Sequence, residues 1–236
     1  QICHSGSADN HLSRKAISMS PEEILSHPAR VLSQAQREHY FEQGYVSVES
    51  LVPADLLAEL VAVTDSFLDQ SRAETDSGRK FDIGPGHSSE SPVLRRLKSP
   101  DDQHNAYWRF ASGLMADVAA DIAGPNVIYH HSKLNFKWFD ETDTVKWHQD
   151  IQFFPHTNYN VFTIGCYLED TNMENGPLAV LPGSHNQQLY DQYADNGDWN
   201  GCLNDRDAAT IDMSKAEYLL KLIGGMFGYG DKFIKA

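Results

Sequence analysis

The run Trp147-His148-Gln149-Asp150 carries the residue types best suited to hold a metal ion. In an extended strand alternate side chains point to one face, so His148 and Asp150 should project together while Gln149 turns away. An imidazole and a carboxylate, completed by a distant second imidazole, make the ligand set of non-haem iron oxygenases, which leaves metal positions open for other ligands. The same pair also suits zinc or nickel in a two-ligand site, and His-x-Asp arises by chance in surface turns. The choice between these readings depends on the surrounding sequence.

Upstream, His131-Ser132-Lys133-Leu134-Asn135-Phe136-Lys137 places residues 131, 133, 135 and 137 on one face of an expected strand. Polar side chains there line either a cavity or a solvated sheet face. Downstream, Asn175-Gly176-Pro177-Leu178-Ala179-Val180-Leu181-Pro182-Gly183-Ser184-His185 brackets a short apolar strand with turn residues. His130 and His156 are either pocket residues or ordinary half-buried histidines. His4, His11, His27, His39, His87 and His104 have no spacing that suggests a site. Phe153, Phe154 and Tyr167 suit a core as well as a pocket.

From Ser33 to His185 these features together resemble the phytanoyl-CoA dioxygenase family of non-haem iron oxygenases. The resemblance implies a double-stranded β-helix, a jelly roll of the cupin type, with Fe(II) and 2-oxoglutarate as cofactors and a small organic or acyl molecule as substrate. It makes His148 and Asp150 iron ligands and gives His185 a structural role. Residues 131–137 and 147–148 are also similar to ectoine hydroxylases, which puts Lys133 and Asn135 near the keto acid and His131 near the substrate. Gln152 and Phe154 join His131 on the substrate side. Beyond Asp150 the sequence departs from ectoine hydroxylases, so ectoine itself is not implied. Related halogenases carry a small residue in place of the carboxylate, so Asp150 points to hydroxylation.

One expected part is missing. The family carries a second iron-binding histidine downstream, and an arginine about one strand later for the far carboxylate of 2-oxoglutarate. Here no histidine follows His185, Arg206 is the only arginine after Asp150, and Leu219 to Ala236 lacks a His…Asn…Arg pattern. A C-terminal truncation, completion of the site by another chain, or an inactive relative serving as a binding or scaffold domain would each explain this. A jelly roll without its last strands should expose sheet edges and favour a homo-oligomer unless the tail covers them.

The elements that must position the pair come in two blocks. Ser20-Pro21-Glu22-Glu23 and Ser33 read as helix starts, the second leading into Gln34–Gln43 and ended by Gly44. Tyr45 to Val48 is a short strand, and Pro53 to Gln70 has an apolar stripe at helical spacing. Arg72 to Ser91 reads as a loop, and His104 to Ala123 as a helix stopped by Gly124-Pro125. Strands are expected at Val127–Phe139, Thr144–His148, Val161–Leu168 and Leu178–Leu181, with turns at Asp140-Glu141, Asn158 and Glu174–Pro177. Asn186 to Lys215 reads as polar loop. Helices followed by strands predict an α+β, mainly β domain over residues 21–236, with the N-terminal helices packed outside the jelly roll.

Composition sets outer limits. With 33 acidic against 19 basic residues the formal charge is −14, which disfavours nucleic acid as a partner. No apolar run approaches the ~18 residues of a membrane span, and no membrane partner is expected. Cys3, Cys166 and Cys202 form neither a disulfide framework nor a zinc pattern. Residues 1–20 read as a disordered leader, and the cytoplasm is the expected compartment.

Overall fold

The computed structural model describes residues 19–138, 145–154, 160–230 and 233–236. The leader before Met19, the turns at Asp140-Glu141 and Asn158, the strand ends at Phe139 and Thr144, and His4, His11, His156 and Cys3 lie outside the described residues. In chain order the elements are α1 (Pro21–Ser26), α2 (Gln34–Gln43), β1 (Tyr45–Val48), α3 (Ala54–Ser71), β2 (Phe81–Ile83), β3 (Leu94–Lys98), α4 (Pro100–Gln103), α5 (Asn105–Phe110), a π turn (Ala111–Met115) and α6 (Ala116–Ala123). Then follow β4 (Lys133–Asn135), β5 (His148–Gln149), β6 (Phe162–Cys166), β7 (Ala179–Val180), α7 (Asp205–Ala208), β8 (Glu217–Tyr218), β9 (Met226–Gly230) and β10 (Ile234–Lys235).

The first helices start where their sequence chemistry directs. Ser20 and Ser33 both form capping boxes, with Glu23 and Gln36 as the reciprocal partners. Gly44 ends α2 in the left-handed region at φ 84, and a Cβ there would meet the His185 ring 2.2 Å away. His185 Nε2 also bonds the Phe41 carbonyl, so this histidine braces the helix end. Asp121 of α6 accepts the backbone N–H groups of Arg30, Val31 and Leu32, each at 2.8 Å. Arg37 of α2 is almost fully buried and donates to the carbonyls of Ile24, His27 and Asp121.

Two antiparallel sheets form the jelly roll, in the orders β1-β9-β6 and β5-β10-β7-β8. Alternation along the strands of the first sheet decides what each face meets. Val46, Met226, Phe162 and Ile164 pack outward on Leu32, Val118 and Ile122 of the helical layer. Tyr45, Phe227 and Tyr229 point inward and join Val180, Leu219, Leu222 and Phe233 between the sheets. A third sheet, β2-β3-β4, backs onto α3 and α5 through Leu60, Phe67, Leu94, Leu97 and Tyr107.

Several sequence expectations change. The strand expected over 127–139 narrows to β4, because β3 offers partners only from Lys98↔Lys133 to Arg96↔Asn135. Ile128, 95% exposed, lies beyond that pairing. The expected loop 72–91 contains β2, which is anchored by buried Phe81 opposite Leu97 and is too short to show a period. The strand expected over 144–148 shrinks to β5. The tail from Leu219 forms β9 and β10, each between two partners, which is the alternative in which the tail itself supplies the last strands.

Candidate metal centre

His148 lies on β5, and Gln149 keeps extended dihedrals of φ −120 and ψ 130 before the chain turns into a 3-10 helix at Asp150. That single extended residue turns the flanking side chains the same way. His148 Nε2 and Asp150 Oδ1 lie 3.3 Å apart, with side chains only 10% and 15% exposed. Gln149 faces the opposite way and is fully buried. It accepts from Tyr190 N, donates to the Gln188 carbonyl, and exchanges further bonds with buried Gln192. This network holds the 188–192 segment against the back of β5.

The His148 tautomer follows from its neighbours. Nδ1 lies 2.8 Å from the Lys146 carbonyl, which can only accept, so Nδ1 carries the proton and Nε2 presents a lone pair to the site. That lone pair accepts from Lys235 Nζ at 2.7 Å. The same ammonium donates to Asp150 Oδ1 at 3.2 Å and lies 5.0 Å from the centre of the Tyr229 ring. Tyr229 donates its hydroxyl proton to Asp150 Oδ2 at 3.1 Å. Burial pushes the Asp150 carboxyl up, but hydrogen bonding and positive charge from its neighbours, Lys235 among them, outweigh burial and hold it well below the usual carboxylate range.

The remaining sequence-predicted residues are distributed around this pair. His131 and Phe154 are in tilted ring contact with centres 4.8 Å apart, and His130 joins them through a ring contact with Phe154 at 5.6 Å. Burial, with like charge from His130 and Lys133, lowers the His131 imidazole, while Asp101 and Asp150 pull the other way. Lys133 and Asn135 lie on the exposed side of β4, alternating with Leu134, and Asn135 accepts from Arg96. Gln152 is drawn to the loop behind β5, donating to the Tyr190 carbonyl at 2.5 Å, a bracing bond. Among the described residues no third His, Cys, Asp or Glu gathers with the pair.

Sequence reasoning missed Lys235 and Tyr229. For Tyr229 the available signal was alternation, since Phe227 and Tyr229 face inward between glycines; Lys235 carried none, because only the β5–β10 register sets it opposite His148. Also missed were Trp199 and Tyr193, which extend an edge-to-face series outward from His148 through Phe153.

Comparison with known proteins bears on the family and the fold. The model of the phytanoyl-CoA dioxygenase family matches residues 40–217. A probable alpha-ketoglutarate-dependent hypophosphite dioxygenase of Stutzerimonas stutzeri is 30% identical over 162 residues, covering 68% of this chain and 56% of that protein. Ectoine dioxygenase of Sphingopyxis alaskensis is 27% identical over 170 residues, covering 67% and 51%. The chain thus spans about half the length of the curated relatives it matches. In three dimensions it is similar to EctD from S. alaskensis, solved with 2-oxoglutarate and 5-hydroxyectoine, at a TM-score of 0.72 and 20% identity, covering 92% of this chain and 74% of the other. At that identity the likeness establishes the jelly-roll fold.

Proposed function

Because this chain belongs to the phytanoyl-CoA dioxygenase family, we propose that it provides the iron-binding jelly roll of an Fe(II)/2-oxoglutarate-dependent dioxygenase that hydroxylates a small organic or acyl substrate. The observation that carries the reading is the convergence of His148 Nε2 and Asp150 Oδ1 on one cation position inside the barrel. The donor set fits a divalent ion. What supports this is that Nε2 faces the site while Nδ1 is held by the Lys146 carbonyl, that Asp150 is held ionised, and that both atoms lie within hydrogen-bond reach of Lys235 Nζ. His148 and Asp150 would hold the iron, which together with 2-oxoglutarate supplies oxidising power from dioxygen for hydroxylation.

The chain's own residues orient and shelter. The Lys146 carbonyl fixes the His148 ring, and Tyr229 fixes the Asp150 carboxylate. On the resemblance alone, and although both lie on the exposed side of β4, Lys133 and Asn135 are the proposed contacts to 2-oxoglutarate, where Lys133 offers a point charge without the planar fork of an arginine. His131 and Phe154, whose rings are in tilted contact, are the proposed wall on the substrate side. The cytoplasm is the proposed compartment, on the sequence argument above; no helix among the described residues is long and apolar enough to cross a membrane.

The test is oxygen-dependent succinate formation from 2-oxoglutarate with Fe(II) and ascorbate, run beside His148→Ala. Turnover that His148→Ala abolishes supports the reading. Equal succinate from both proteins would sink it, and none from either would favour a binding or scaffold domain.

A further inference from the structure

The most unusual group in the barrel is Lys235, whose side chain is only 7% exposed. It reaches the site because β10 runs antiparallel to β5 with Lys235 directly opposite His148. Paired residues of adjacent strands project to the same face, so the register itself sends the ammonium toward the pair. The strand is held on its other edge by β7, with Lys235 opposite Val180. The ammonium is therefore placed by backbone pairing on both sides.

A divalent ion held by His148 and Asp150 would be bound through Nε2 and Oδ1. It needs the same lone pairs that accept from Lys235 Nζ at 2.7 and 3.2 Å. Two cations cannot share those acceptors, and at this separation in a dry site they repel strongly. Resting on the reading of His148 and Asp150 as a metal pair, we propose that Lys235 is a built-in competitor for the metal position. Its ammonium and the divalent ion are alternative occupants, and metal enters only as the lysine side chain leaves. The device compensates the buried Asp150 carboxylate when no metal is bound. It also turns metal loading into an exchange, which sets a threshold for divalent ion concentration. In the proposed exchange the unbranched side chain rotates away while the β10 backbone keeps its pairing.

The experiment is a Co(II) titration of the 236-residue chain, followed by visible absorption and by calorimetry, on wild type, Lys235→Met, Lys235→Leu and Lys235→Met/His148→Ala. Loss of the competing charge should tighten Co(II) binding by at least about ten-fold in Lys235→Met and Lys235→Leu. The added His148→Ala should remove that gain. Equal affinity in wild type and both single variants would overturn the competition and leave the metal pair standing. No Co(II) binding by any of the four would overturn the metal pair and the inference together. Wild type alone provides a second readout if the variants misfold. Mild amine acetylation read by mass spectrometry should spare Lys235 without metal and modify it with saturating Zn(II), whereas protection unchanged by bound Zn(II) contradicts exchange.

Discussion

Tyr229 holds the outer oxygen of Asp150 while Lys235 holds the inner one, so the carboxylate has little rotational freedom. Partners of this kind tune ligand geometry, and removing one typically weakens metal affinity 10–100-fold. Tyr229→Phe keeps the ring between the sheets and should weaken Co(II) binding by about ten-fold, with an unchanged circular dichroism spectrum. A second tyrosine gives the molecule a pH limit. Tyr107 is buried, its hydroxyl meets that of Thr64, and burial pushes its phenol up to about 12 from an ordinary value of 10.0. The unfolded chain ionises first as pH rises, so the stability held by neutral Tyr107 is intact below pH 10 and is lost between about pH 10 and 12. The loss is on the order of 2–3 kcal/mol by the usual conversion. Urea titrations at stepped alkaline pH should show that decline, and Tyr107→Phe should remove its share of it.

Among elements, the joint between α1, α2 and α6 is held by Arg37 and by the Asp121 carboxylate. Asp121 closes three backbone N–H groups of the 30–32 turn, and Asp121→Ala leaves them without those acceptors in a largely dry setting. The expected cost is about 3 kcal/mol, read as a lower urea midpoint with little change in slope. How far each element could be read from sequence follows from what makes it. Ser20, Ser33 and Gly44 act within a few residues, so the starts of α1 and α2 and the end of α2 were legible. The apolar stripe of α3 was legible for the same reason. His148 and Asp150 needed only one extended residue between them, and their convergence too could be read locally. By contrast β2 and β10 are short, and each exists because a distant strand accepts it, as with Phe81↔Leu97 and Lys235↔His148. Lys235 therefore looked like an ordinary charge near the end of an unpatterned tail. Its meaning appears only once the register is known.

At the scale of the whole molecule, β10 is the seam of the second sheet. Ile234 is fully buried, donates its N–H to Ser184 and accepts from Leu181, while Gln149 lies opposite it on β5. Ile234→Pro removes the donor and part of the core side chain together, for an expected loss of about 4 kcal/mol. Far-UV dichroism and a urea titration would register it; a change under about 1 kcal/mol would mean that β5 and β7 hold without their shared neighbour. The other sheet has the same plan, with β9 inserted between β1 and β6 so that Tyr45 meets Tyr229 and Thr163 meets that same residue. Both seams are laid by segments that leave the ribosome after the strands they join. Until residues 226–235 emerge, β1, β5, β6 and β7 have no central partner, and a nascent chain must wait with those edges open. Such distant pairing slows folding and gives chaperones a defined interval in which to act.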